Sequence, residues 1–467
     1  MDATGLAVDL STALRRREIS AEELLEAVIQ RTEQISTVLN PIAVKLYDRA
    51  RRTAKIADKR LANGTGGSLC GLPVTIKDSQ WLAGVPCANG SKSLKDFVPD
   101  RTSAAVASLE QAGAVIFAKT TCPEFSLVGI TDSELYGRTS NPWNLGRTPG
   151  GSSGGAGVAV ATGLGPLSLG GDGGGSIRIP AAFCGVVGFK PSFGHIDREP
   201  CFPAWKSLVC YGPMARTVAD ARLMLSALAQ TTTNFTKSKP RAEKLTGLTL
   251  IVSEDLGFAP IDTDVRDRFR RLVDILANAG AELLYDDPGL PSSVETWGTT
   301  AAYDAWKHHQ ESPNQAGVGE IARLFLEFGA QFTNSEFRAA QQQRHRISHA
   351  YARLFERTGA RVLLTPTVGC EAFPHDRVFP ERIDNTSIEL PWIDWAGFLY
   401  DANLTGMPSC VLPMGIGDDE LPVSVQLVGP TGTDIEVLDV AEQLESLVNW
   451  HHRYANGTDH AAFQEML

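Results

Sequence analysis

Nowhere do the 467 residues run apolar for the roughly 20 positions that a bilayer-spanning helix needs, so no membrane partner is expected. Long runs of one charge are missing as well. The formal charge of −11 is dispersed along the chain, which argues against a nucleic-acid footprint. The eight cysteines form no CxxC pair and no regular spacing, so buried thiols in a reducing, cytoplasmic setting are expected rather than a disulfide framework. No HExxH or Cys/His ligand set accompanies the doublets His308–His309 and His451–His452, and neither a metal nor a cofactor is expected.

The N-terminal region lacks the apolar core of a signal peptide. Arg15, Arg16 and Arg17 are followed by Ser20-Ala-Glu-Glu23, a capping-box pattern, and then by Leu24, Leu25, Val28 and Ile29 at helical spacing. With 43% hydrophobic and 21% charged residues, the composition is that of an ordinary globular protein large enough to bury a core without metals or disulfides.

Helical and strand patterns alternate along the chain. A helix is expected over about 40–62, a strand over Leu72–Ile76, a helix over 102–112 and a strand over 114–118. Residues 137–175 turn Gly- and Ser-rich but contain the apolar run Val158-Ala-Val-Ala161, so the segment dips into a core rather than forming a linker. Helices are expected at 216–230, 264–280 and 434–448, strands at 248–252, 281–285, 362–364 and 423–428, and a polar, helix-leaning stretch at 296–358. The alternation predicts an α/β fold over 1–467, one large domain without repeats or a convincing linker.

Four segments can carry chemistry: Gly71-Leu-Pro-Val-Thr-Ile-Lys77-Asp78, Gly150-Gly-Ser152-Ser153-Gly-Gly155, Gly170-Gly-Asp172-Gly-Gly-Gly175-Ser176-Ile-Arg178, and Asn403-Leu-Thr-Gly-Met-Pro408. The glycine-rich loop at 150–155 lacks the Gly-Lys-Ser/Thr ending of a phosphate loop, and no GxGxxG lies between a strand and a helix. Gly151-Ser-Ser153-Gly-Gly155 matches the nucleophile elbow of α/β-hydrolases, which would make Ser153 the nucleophile. That elbow needs a strand before it, and Asn141–Pro149 is broken by prolines and glycine.

Taken together, the Ser-Ser-Gly-Gly loop, Asp172–Pro180 and Lys77 after Gly71-Leu-Pro73 resemble the amidase signature family. Weaker resemblance covers about 65–220 and resumes at 361–430, and the region 235–400 is the variable one. The resemblance implies a mixed central β-sheet sandwiched between α-helices. It makes Ser176 the nucleophile, Ser152 a bridging serine after a cis Gly151–Ser152 peptide, and Lys77 the base. It assigns the oxyanion hole to the N–H groups of Gly173, Gly174, Gly175 and Ser176, with Ser153 in support; Asp172 and Arg178, on either side of Ser176, are expected as a structural ion pair bracing the loop. The chemistry is coherent: a serine needs a base to take its proton, and a lysine serves only when burial keeps it neutral. Where the family often has Thr or Ser this chain has Gly171, and where it often has Asn this chain has Ser79.

The implied activity is hydrolysis of a small-molecule carboxamide, anilide or ester. The family also contains the A subunit of the glutamyl-tRNA amidotransferases, which works in a complex beside a tRNA-binding subunit. Pro123 before Glu124-Phe125 and Ile179 after Arg178 depart from the amidotransferase pattern and favour a stand-alone amidase. An inactive scaffold is disfavoured because all three members of the implied triad are present. In related enzymes the pocket draws on segments that here contain Phe125, Phe202, Trp205, Tyr211, Trp392, Trp395 and Tyr400, which would suit an aryl or bulky acyl group. Homodimers are common among such amidases, though no feature of this sequence establishes one.

Overall fold

Apolar strands buried on both faces need helices on either side, and that requirement organises the chain. The computed structural model describes residues 4–229, 245–311, 316–384, 386–388, 393–448 and 450. Its main sheet has eleven strands: β1 (Ile42–Lys45), β2 (Pro73–Lys77), β3 (Val115–Thr120), β4 (Leu167–Asp172), β5 (Val187–Lys190), β6 (Cys210–Ala215), β7 (Thr249–Val252), β8 (Glu282–Tyr285), β9 (Val362–Pro366), β10 (Ser409–Ile416) and β11 (Pro422–Val428). Their spatial order is β1-β3-β2-β4-β6-β5-β10-β11-β9-β7-β8. β2 runs parallel to both β3 and β4. From β4 across β6, β5, β10 and β11 to β9 every pairing is antiparallel, and β9, β7 and β8 are again parallel. The sheet is therefore mixed, as expected.

Side chains alternate across this sheet with a period of two, and the alternation decides where the chemistry sits. Val74 and Ile76 of β2, with Leu167 and Leu169 of β4, enter a core that includes Leu24, Leu225 and Leu438 from three covering helices. On β7 and β10, Ile251 and Val411 enter the opposite core, shared with Val158, Ile177 and Phe183. Thr75 and Lys77 alternate with Val74 and Ile76, and Thr75 Oγ1 reaches Ser168 Oγ across the strand pair (2.7 Å).

Several elements differ from the sequence reading. The expected helix at 40–62 is the edge strand β1 followed by a helix at Tyr47–Ala62. Strands β4, β5, β6 and β10 lie outside the expected set, because Gly170, Gly188, Pro213 and Pro413 interrupt the apolar pattern. At Gly212 in β6 the glycine is obligatory, since a Cβ there would stand 2.1 Å from Phe189 O. Val158–Ala161 belongs to the helix Gly154–Ala161, buried at all but its last residue. The helix-leaning region resolves into helices Val294–Gln310, Glu320–Ala330 and Asn334–Thr358. Among the described residues no helix is long and apolar enough to cross a membrane.

Candidate active site

β2 ends on the one residue of its buried row that carries a charge. Lys77 is 2% exposed, and its Nζ donates to Ser152 Oγ over 2.6 Å. Removal from water disfavours the ammonium and lowers the lysine to about 8, although Cys122, Asp172 and Asp78 pull the other way. Gln80 fixes the strand end: its Oε1 accepts from Lys77 N (3.1 Å) and its Nε2 donates to Gly170 O (3.0 Å). Asp78 points elsewhere, into a buried ion pair with Lys119 (3.2 Å), and accepts from the Tyr136 hydroxyl (3.0 Å). The peptide between Gly151 and Ser152 is cis.

Ser176 lies on the loop after β4, and Ser153 ties this loop to the one bearing Ser152. Ser153 N donates to Ser176 O (3.0 Å), while its hydroxyl donates to Gly171 O (3.1 Å) and accepts from Gly171 N (3.2 Å). Ser153 thus spans two backbone segments and is 0% exposed, so it braces the site. Asp172 closes the loop from inside. Its Oδ1 accepts from Gly175 N (2.8 Å) and its Oδ2 from Ile177 N (3.1 Å).

Arg178 returns two hydrogen bonds to that carboxylate (2.9 and 3.0 Å) with both side chains fully buried. Burial pushes the Asp172 carboxyl upward, but the charge and hydrogen bonds of Arg178 outweigh it and hold the group well below the usual carboxylate range. The guanidinium also donates to Leu399 O (2.9 Å), Gln426 Oε1 (2.7 Å) and Asn403 Oδ1 (2.6 Å). Asn403 Nδ2 in turn donates to Asp172 O and Oδ1, both at 3.0 Å. The structural ion pair expected at 172 and 178 is thereby the hub of a network reaching β11.

Each of the three glycines before Ser176 is capped by a different side chain. A Cβ would lie 2.6 Å from Trp205 at Gly173, 2.2 Å from Trp297 at Gly174, and 2.4 Å from Leu399 at Gly175. Trp297 further donates its indole N–H to Gly173 O (2.9 Å). Because Gly175 N already donates to Asp172, the expected set of four backbone donors narrows to Gly173, Gly174 and Ser176. These three N–H groups make no hydrogen bond within the described residues.

A family model described as Amidase matches residues 23–438. The chain belongs to the amidase signature family. AmiB2 of Mycobacterium tuberculosis, which bears the name of an amidase, is 35% identical over 473 residues, covering 97% of this chain and 99% of the relative. A glutamyl-tRNA(Gln) amidotransferase chain of Roseiflexus sp. (strain RS-1) is 32% identical over 480 residues, covering 95% and 96%. A bacterial aryl acylamidase of the amidase signature family superposes with a TM-score of 0.89 at 27% identity, covering 97% of this chain and 98% of the other. The chain is accordingly an enzyme of amide C–N hydrolysis with this family's single α/β fold.

In this amidase, Lys77, Ser152 and Ser176 line one cavity of about 180 Å³, together with Phe125, Phe202, Trp205 and Tyr211. Of the other aromatic candidates, Trp395 and Tyr400 line a smaller neighbouring space. Trp395 is mainly a packing residue, stacked on Phe183 (6.1 Å) and edge-on to Phe373 (5.3 Å). Trp392 lies outside the described residues. The sequence reading missed Trp297, which caps Gly174, and the cavity residues Arg198, His308, His309 and Leu326. Trp297 and the histidines share the helix Val294–Gln310, whose polar pattern carries no sign of facing a site.

Proposed function

We propose that this amidase cleaves a small-molecule carboxamide, anilide or related C–N bond, or an ester, through an acyl-enzyme on Ser176. The carrying observation is the 2.6 Å hydrogen bond between Lys77 and Ser152 in a site from which water is largely excluded. Neutral Lys77 accepts the Ser152 proton while Ser152 accepts that of Ser176, whose Oγ forms a bond to the carbonyl carbon. The N–H groups of Gly173, Gly174 and Ser176 hold the developing oxyanion, donors that need no rearrangement as charge appears. As the C–N bond breaks, the proton returns along the same relay to the nitrogen, and the amine departs neutral. Water, deprotonated by the same relay, attacks the ester and releases the acid.

An enzyme of the amidotransferase kind would have to seat glutamine, whose α-ammonium calls for a carboxylate. No Asp or Glu lines the main cavity among the described residues, which favours a stand-alone hydrolase. Eight free, buried cysteines support a reducing, cytoplasmic setting.

The test is labelling with a fluorophosphonate and mapping of the modified residue. Labelling of Ser176, lost in Ser176→Ala and slowed in Lys77→Ala, is expected. A label on Ser153 would overturn the assignment.

A further inference from the structure

Ser176 stands at the junction of two separate spaces. The main cavity of about 180 Å³ contains Lys77 and Ser152; the second, of about 30 Å³, touches Ser176 and Gly174 but neither member of the relay. We propose that the site is polarised, with a short acyl group in the small chamber and a bulky apolar amine in the main cavity. The substrate class is then an N-aryl or N-aralkyl amide of a short carboxylic acid. This inference rests on the reading of Ser176 as nucleophile and of Lys77–Ser152 as proton relay.

The direction follows from where the proton must go. When the C–N bond breaks, the nitrogen takes the proton that Ser176 gave up, so it must lie beside Ser152. Of the two spaces, Ser152 lines the main cavity and not the small chamber, and the amine side of the substrate therefore extends into the main cavity. The carbonyl oxygen turns to the backbone N–H groups, which leaves the acyl substituent facing the small chamber across Ser176.

The sizes of the two spaces agree with this orientation. A water-sized group needs about 10–15 Å³, so the small chamber takes about two heavy atoms and the main cavity about a dozen. Among the described residues no charged side chain lines the small chamber, and most of its indole and phenol groups are already engaged. Tyr400 donates its hydroxyl to Ile393 O (2.8 Å), Trp297 its indole N–H to Gly173 O (2.9 Å), and Trp205 its own to Ala301 O (2.8 Å). Only Trp395 Nε1 among these wall groups lacks a partner in the described residues. An acetyl or propionyl group fits this volume, whereas an amine departing there would lie away from the Lys77–Ser152 relay that returns its proton. The main cavity has the aromatic walls for a ring, Phe125, Phe202, Trp205 and Tyr211. With Arg198 present and no carboxylate among the lining residues, it disfavours a second cationic group on the amine.

The test compares two isomers whose amide is reversed, N-benzylacetamide and N-methyl-2-phenylacetamide, both with alkylamine leaving groups. N-benzylacetamide is expected to have a kcat/KM at least about 10-fold higher, the scale on which a pocket excludes a misfitting group. Lengthening its acyl chain to butanoyl should lower kcat/KM, and Val378→Ala, which enlarges the small chamber, should recover part of that loss. Phe202→Ala, in the main cavity, should not. Equal or better turnover of N-methyl-2-phenylacetamide overturns the proposal, with or without a folded Val378 variant. Fluorophosphonate labelling of Ser176 without turnover of either isomer overturns the polarity alone; absence of labelling removes the nucleophile assignment as well.

Discussion

Lys77 Nζ meets Ser152 Oγ at 2.6 Å, and among the described residues the buried lysine side chain makes no other hydrogen bond. Its basicity is set chiefly by desolvation, at about 8. The base acts only when neutral, so acylation is expected to rise with pH through about 8 and level off above it. The single-turnover rate of fluorophosphonate labelling from pH 6 to 10 checks this. A rate independent of pH would separate the lysine from the proton transfer.

Lys77→Arg keeps the positive charge but removes the ability to become neutral, since a guanidinium stays protonated in proteins. It should lower kcat about 10²–10⁴-fold, as Lys77→Ala should. Comparable activity in the arginine variant would show that the charge, not the base, matters at this position.

Gly171, near the end of β4, and Gly174, in the loop that follows, make opposite predictions. A Cβ at Gly174 collides with Trp297 at 2.2 Å, whereas at Gly171 the nearest atom is Tyr211 Cδ1 at an ordinary 3.4 Å. Gly174→Ala should cost about 1–3 kcal/mol of stability through overpacking and displace an oxyanion donor, with activity falling about 10²-fold or more. Gly171→Ala should stay within about 0.5 kcal/mol and keep most activity, since the added methyl meets only ordinary contacts. Thermal unfolding and kcat/KM of the two variants decide the matter.

The contrast between these glycines also marks what was legible in the sequence. Lys77, Ser152 and Ser176 stand in dense local motifs, so resemblance to the amidase signature grouped residues that the sheet then places on adjoining strand ends and loops. Arg178 could be read as the partner of Asp172 because six positions separate them. Its bonds to Asn403 and Gln426, more than two hundred residues on, depend on β11 packing beside the loop. Trp297 was illegible for a different reason: its role arises from a helix docking over Gly174, and nothing in its own segment distinguishes it from a core residue. Strands β4 and β6 escaped because glycine and proline interrupt their apolar pattern, and at Gly212 the glycine is what permits close approach to Phe189 O.

Glu371 offers a prediction about stability rather than catalysis. Partial burial, then the negative charges of Asp264 and Asp419, raise its carboxyl to about 7. A group with a raised folded-state value binds its proton more tightly when folded, so its contribution weakens as pH rises from the ordinary glutamate range through about 7. Glu371→Gln removes the ionisation. The variant should melt about 1–3 °C above the parent at pH 8 and near it at pH 5, a small effect because solvent screens a half-exposed group. A gain confined to pH 5 would contradict the assignment.

Arg178→Lys tests whether the network behind Ser176 needs shape as well as charge. A lysine can still pair with Asp172, but as a point charge it cannot also serve Leu399 O, Gln426 Oε1 and Asn403 Oδ1, all buried. Acceptors left without a donor in the interior cost about 1–3 kcal/mol each, partly relieved by rearrangement. The variant should therefore lose about 3 kcal/mol of stability, read as a lower urea midpoint. It should also label more slowly with fluorophosphonate, because Asp172 holds Gly175 N and Ile177 N on either side of the nucleophile. Asn403→Asp separates the two effects. It preserves volume and the acceptor for Arg178 but replaces the amide that donates to Asp172 with a second carboxylate. If the hub acts by holding the loop, this variant too should label slowly while Lys77 retains its pH dependence; an unchanged labelling rate in both would make the network purely structural.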